Sequence, residues 1–128
     1  MFETVTKVLE TDARVSYALV FGSSARGTDH AGSDLDVAIG LAQPLSALEL
    51  GALISRLESA TGRAVDLTLL GEAPPGLAYR VFRDGVVVLD RDHEALVGRK
   101  AKAVLEYLDW QPIEALFARA GNGNPNGR

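Results

Sequence analysis

Between Tyr17 and Ile39 the chain carries two apolar runs separated by a polar excursion. The first, Tyr17-Ala18-Leu19-Val20-Phe21, stops at Gly22-Ser23; in the second, Asp34 and Asp36 alternate with Leu35, Val37 and Ile39. That pattern predicts strand, tight turn, excursion, strand. Successive side chains of a strand point to opposite faces, so Leu35, Val37 and Ile39 share one face and Asp34 and Asp36 the other. Taken alone, Asp-Leu-Asp fits a strand whose acids simply face water. The preceding turn changes that reading. Gly22-Ser23 at the end of a buried strand, followed by a helical turn through Ala25 and Arg26, supplies backbone N–H groups able to meet an anion. An anion cradle and an acid pair suited to a cation thus fall within fourteen residues of each other. Those are the parts needed to handle a metal-chelated triphosphate.

The segment that follows extends the site. Ser46-Ala47-Leu48-Glu49 is a capping-box pattern, Leu50, Leu53, Ile54 and Leu57 form an apolar stripe of helical period, and Gly62 supplies a stop. Next, Val65, Leu67 and Leu69 alternate with Asp66 and Thr68 in a further strand. Pairing of this strand beside that of Asp34 and Asp36 puts three carboxylates on one surface, since cross-strand neighbours lie about 5 Å apart. Like charges so close stay ionised only if a cation compensates them, and a hard divalent ion with oxygen ligands is the natural partner. A lone acid on a partly wet strand is the plain alternative for Asp66.

The rest of the chain reads as scaffold. Phe2, Val5, Val8 and Leu9 predict an amphipathic first helix, and Arg14 to Phe21 the first strand. Gly27 to Gly32 reads as a loop carrying an exposed His30. Pro74-Pro75-Gly76 predicts a turn, Leu77, Val81 and Phe82 a short helix ended by Asp84-Gly85, and Val86 to Leu89 a brief strand. From an Asp92 cap, Leu96 to Leu108 predicts a longer helix; Trp110 follows, and Pro112 restarts a last turn or two with Ile113, Leu116 and Phe117. Tyr107, Trp110 and Phe117 serve either helix docking or a partner-binding patch. Residues 1–120 are expected to form a single domain and 121–128 a disordered tail.

Composition narrows the function. With no cysteine, disulfides, thiolate metal sites and cysteine nucleophiles are excluded, and two scattered histidines are too few for a histidine metal site. A formal net charge of -4 argues against direct nucleic-acid binding over a broad surface. The basic residues Arg80, Arg83, Arg91, Arg99, Lys100 and Lys102 read as helix surface or a local patch. With no apolar run of spanning length and no leader pattern, a cytoplasmic protein that does not enter the membrane is expected.

Gly22-Ser23, ten intervening residues and Asp34-x-Asp36 match the G-S-x10-D-x-D signature of the polymerase-beta-like nucleotidyltransferases. By average residue usage such a match arises by chance on the order of once in a thousand chains of this length. The wording GSSARG then GSDLD, with Asp66 on the next strand, resembles the minimal nucleotidyltransferases (MNT proteins), antitoxins paired with HEPN-domain ribonucleases. The resemblance implies an α+β fold, a mixed β-sheet flanked by α-helices. It implies that Asp34, Asp36 and Asp66 are catalytic and hold two Mg²⁺ ions, with Asp66 able to take the acceptor's proton. Gly22 and Ser23, with Arg26 and Ser33, would bind the nucleotide. The implied reaction is transfer of AMP from ATP to a tyrosine hydroxyl of a HEPN toxin, silencing it. Only some thirty-odd residues follow the last predicted strand, too few for an acceptor domain, so a second polypeptide is expected to bring the acceptor. Transfer to a small hydroxylated molecule such as an antibiotic, and neutralisation by occlusion without catalysis, are the alternatives.

Overall fold

The computed structural model describes residues 1–27 and 34–120, with 110–120 as backbone only. In chain order the elements are α1 (Phe2–Glu10), β1 (Val15–Phe21), α2 (Ser23–Arg26), β2 (Leu35–Leu41), α3 (Ala47–Thr61) and β3 (Val65–Leu69). A 3-10 turn (Leu70–Glu72), α4 (Pro75–Asp84), β4 (Val86–Asp90) and α5 (His93–Ala120) complete it. The four strands make one mixed sheet in the order β3-β2-β1-β4. β1 lies antiparallel to both β2 and β4, whereas β2 and β3, joined through α3, are parallel. The architecture is α+β, a mixed sheet flanked by helices, as expected.

The alternation in β2 decides what each face of the sheet meets. Leu35, Val37 and Ile39 pack with Val20 of β1, Val5 and Leu9 of α1, and Leu53 and Leu57 of α3 into an apolar layer without solvent exposure. Ala38 belongs to the opposite layer with Tyr17, Leu19, Ala78, Val81, Phe82 and Leu96, under α4 and α5. Tyr17 fits there only because its register partner is Gly40: a Cβ at Gly40 would occupy the phenol ring. Edge strand β4 is tied to α1 by the Thr6 hydroxyl, 2.7 Å from the Val88 carbonyl oxygen.

Local signals set the helix ends. The Ser46 hydroxyl accepts from the Glu49 amide at 3.1 Å and the Glu49 carboxylate accepts from the Ser46 amide at 2.8 Å, completing the predicted capping box. Gly62, with φ of 70°, closes α3. Asp92 accepts from the Ala95 amide at 3.1 Å at the start of α5. Two expectations are corrected. Pro74-Pro75-Gly76 is no separate turn: Pro75 and Gly76 open α4, because a proline at the first helical position lacks an N–H that would be unsatisfied there anyway. α5 also runs through Pro112 rather than restarting at it; the proline deletes one bond of the helical ladder, and the helix continues past the loss.

His30, Ser33 and the tail expected at 121–128 lie outside the described residues, as do the side chains of Trp110 and Phe117. Tyr107 stacks on Tyr79 of α4 with ring centroids 4.1 Å apart, which is the helix-docking use of an α5 aromatic.

Candidate active site

The apolar pattern that buries Leu35 and Val37 under α1 and α3 turns Asp36 to the other face. There it is half-buried at the start of β2, with Asp34 exposed two residues before it. β3 adds the third acid. Asp66 is the parallel register partner of Asp36, and its side chain is exposed. On the other flank Asp36 pairs with Phe21, the last residue of β1. The sequence reading of three carboxylates on one surface therefore holds for the fold.

The turn after Phe21 is shaped by the same carboxylate. Gly22 has φ of 73° and ψ of -150°, a region essentially reserved for glycine. A Cβ there would run into the Asp36 carboxylate, whose Cγ would lie 3.1 Å away. Gly22 thus lets the chain cross directly over Asp36 and enter α2, whose first residue is Ser23 and last is Arg26. The start of a helix carries N–H groups that its own ladder does not use.

Electrostatics single out Asp36. Burial, then the charges of Asp66 and Asp34, push its carboxyl above the usual range, and Arg26 opposes the rise. Arg26 is also felt at Asp84 at the end of α4, which Arg83 grips in a two-point ion pair at 2.9 and 3.0 Å and holds below the usual carboxylate range. The sequence reading did not single out Asp84. No signal could have found it, because its approach to α2 is made by tertiary packing. Of the residues expected from sequence, Gly22, Ser23, Arg26, Asp34, Asp36 and Asp66 gather at this end of the sheet.

Among the described residues no three carboxylate or imidazole side chains are already closed around one point as a metal cage. The three aspartates share a surface instead. Their donor chemistry, all oxygen and like-charged on one surface, fits a hard divalent cation that coordinates substrate phosphate as well.

A mixed sheet that lifts aspartates from two adjacent strands beside a glycine turn is the frame of a nucleotide-transferring enzyme. The chain belongs to the Polymerase beta, Nucleotidyltransferase family, whose model matches residues 3–94. Among solved structures it is similar to a chain of a toxin-antitoxin crystallised with AMP-PNP, at 25% identity and a TM-score of 0.79, covering 91% of this chain and 94% of that one. It shares its fold with a chain of the MntA-HepT toxin-antitoxin, at 21% identity and a TM-score of 0.72, covering 91% and 92%. It does so too with a chain of the tri-AMPylated Shewanella oneidensis HEPN toxin in complex with MNT antitoxin, at 20% identity and a TM-score of 0.71, covering 91% and 95%. No curated protein matches the sequence significantly.

Proposed function

We propose that this protein is a Mg²⁺-dependent adenylyltransferase antitoxin of the cytoplasm, which moves AMP from ATP onto a tyrosine hydroxyl of a HEPN-domain toxin. The observation that carries the reading is Asp36 facing Asp66 across parallel strands, directly beneath Gly22, within the stretch matched by the family model. The toxin-antitoxin nature of structures sharing nearly the whole chain supports the choice of acceptor.

Asp34, Asp36 and Asp66 would hold the metal, two ions by the resemblance. The metal held there would supply charge neutralisation of the triphosphate and a lowered pKa for the attacking hydroxyl. Gly22 admits the phosphates close to the backbone, and Ser23 and Arg26 bind them, with Ser33 as a further candidate. Asp66, exposed on β3, would accept the proton as the tyrosine oxygen bonds to the α-phosphorus. The α–β phosphoanhydride bond breaks and pyrophosphate leaves. The three acids orient the nucleotide, so catalysis rests on positioning and charge.

The test is intact mass of a HEPN-domain toxin from the same organism after incubation with this protein, ATP and Mg²⁺. A gain of one or more AMP units, absent with Asp36→Ala, is expected. Complex formation without any gain would favour neutralisation by occlusion.

A further inference from the structure

On the far side of β1 from the acid site, the first residues of edge strand β4 and one face of α5 form an apolar surface that the described residues leave uncovered. Val87 is 47% exposed, and Val97, Leu105 and Leu108 are 50%, 62% and 54% exposed. With exposed Ala101, the α5 residues fall at i, i+4, i+8 and i+11, a single helix face. Soluble proteins seldom leave so continuous an apolar face without a use for it. Between strand and helix the surface dips into a groove of about 300 Å³, walled by Leu19, Phe82, Val87, Leu96 and Val97, with His93 and Lys100 as its polar members; the His93 ring is 2.7 Å from the Asp90 carboxylate. Among the described residues no acid lines this groove, and exposed Lys100 has no ion-pair or hydrogen-bond partner. Apolar walls and one unanswered cation fit an apolar side chain next to a carboxylate.

Register relates this surface to the site. Val86 pairs with Val20, and the next residue of β1, Phe21, pairs with Asp36. β4 therefore begins two interstrand spacings from Asp36, about 10 Å. A protein seated along β4 and α5 therefore lies beside the acid site, toward which its acceptor segment would extend.

We propose that the β4–α5 surface seats the acceptor protein, which inserts an apolar side chain into the groove and meets Lys100 with a carboxylate. This rests on the protein-acceptor reading above. The test uses the full chain, HEPN-domain toxin from the same organism, and the variants Val97→Asp, Leu105→Glu, Lys100→Glu and Lys100→Arg, all at exposed positions. Expected are a tenfold or greater loss of toxin affinity for Val97→Asp, a several-fold loss for Leu105→Glu and Lys100→Glu, and near wild-type binding for Lys100→Arg. KM for the toxin should rise with kcat kept, while affinity for a fluorescent ATP analogue with Mg²⁺ and the melting temperature stay unchanged. Variants that all bind and modify the toxin like wild type would overturn the docking surface and leave the adenylyltransferase reading standing. A wild-type chain that neither binds nor modifies the toxin would overturn both. A wild-type dimer in sedimentation, broken by Val97→Asp with toxin binding intact, would assign the surface to a second copy and overturn the proposal.

Discussion

Two aspartates in this small domain live in opposite electrostatic worlds. Asp12, between α1 and β1, is only 5% exposed, yet it is fully answered. It accepts from the Arg14 amide at 3.0 Å and from the Arg14 guanidinium twice at 2.9 Å, with Arg56 at 3.6 Å. The side-chain bonds of Arg14 hold its carboxyl below the usual range in spite of burial. Asp36 is less buried but faces acids, and its carboxyl is pushed up. Burial alone therefore does not mark a functional acid. A carboxylate compensated from within belongs to the framework; one left among like charges has its compensation still to come from a ligand.

The widest separation of the two is expected on removing each carboxylate. Asp36→Ala should cut AMP transfer at least about 100-fold, while the melting temperature holds or rises because a repelled charge has gone. A radiolabelled-ATP assay beside a thermal melt measures both, and an active Asp36→Ala would end the site assignment. Asp12→Ala should do the reverse. It takes the buried carboxylate from two partly exposed guanidinium groups, leaving Arg14 with Glu49 alone, at a cost of about 2 kcal/mol, below the cost of breaking a wholly buried pair, with specific activity of the folded fraction kept.

The pH response of Asp12 sharpens this. With its folded-state pKa below the ordinary 3.8, its contribution is complete above that value and is lost as pH falls through the lower, native one. Acid melts of wild type should therefore fall away below about pH 4, and Asp12→Asn should flatten that limb. A parallel decline in both proteins would mean that other carboxylates govern acid unfolding. Gly22→Ala lies between the two classes. Its backbone region and the Asp36 carboxylate both exclude a Cβ, so about 1–3 kcal/mol of stability and much of the activity should go together.

These contrasts were unequally legible in the sequence. Asp34, Asp36 and Asp66 could be brought onto one surface because strand alternation fixes the face of each acid, and the β2-α3-β3 order makes parallel neighbours of their strands. The helix between them announced itself at both ends, in Ser46 with Glu49 and in Gly62. Asp12 gave no such sign. Its partner Arg14 sits two residues on in the same loop, but Arg56, and Glu49 behind Arg14, come from α3, and only the packing of α3 against the loop between α1 and β1 assembles them. The prolines misled for a different reason: Pro75 and Pro112 were read as breaks, although a first-turn position and a long, otherwise regular helix both accommodate the missing N–H. The exposed α5 stripe was written in the sequence as ordinary apolar periodicity; what the fold added was that α5 turns other residues, Leu96 and Ala103, toward the core.

The smallest effect probes how the framework cluster is tied together. Glu49 accepts from the Ser46 amide with one oxygen and from Arg14 with the other at 2.6 Å, so the cap of α3 and the cage of Asp12 share a carboxylate. Ser46→Ala removes the hydroxyl that accepts from the Glu49 amide and should cost about 1 kcal/mol. If the shared carboxylate couples the two, the double variant Ser46→Ala/Asp12→Ala should lose less than the sum of the single losses, since each weakens what the other removes. Strict additivity in chemical denaturation would show the cap and the cage to be independent. Neither change should alter the KM for ATP, because the framework cluster meets the acid site only through the rigid body of the sheet.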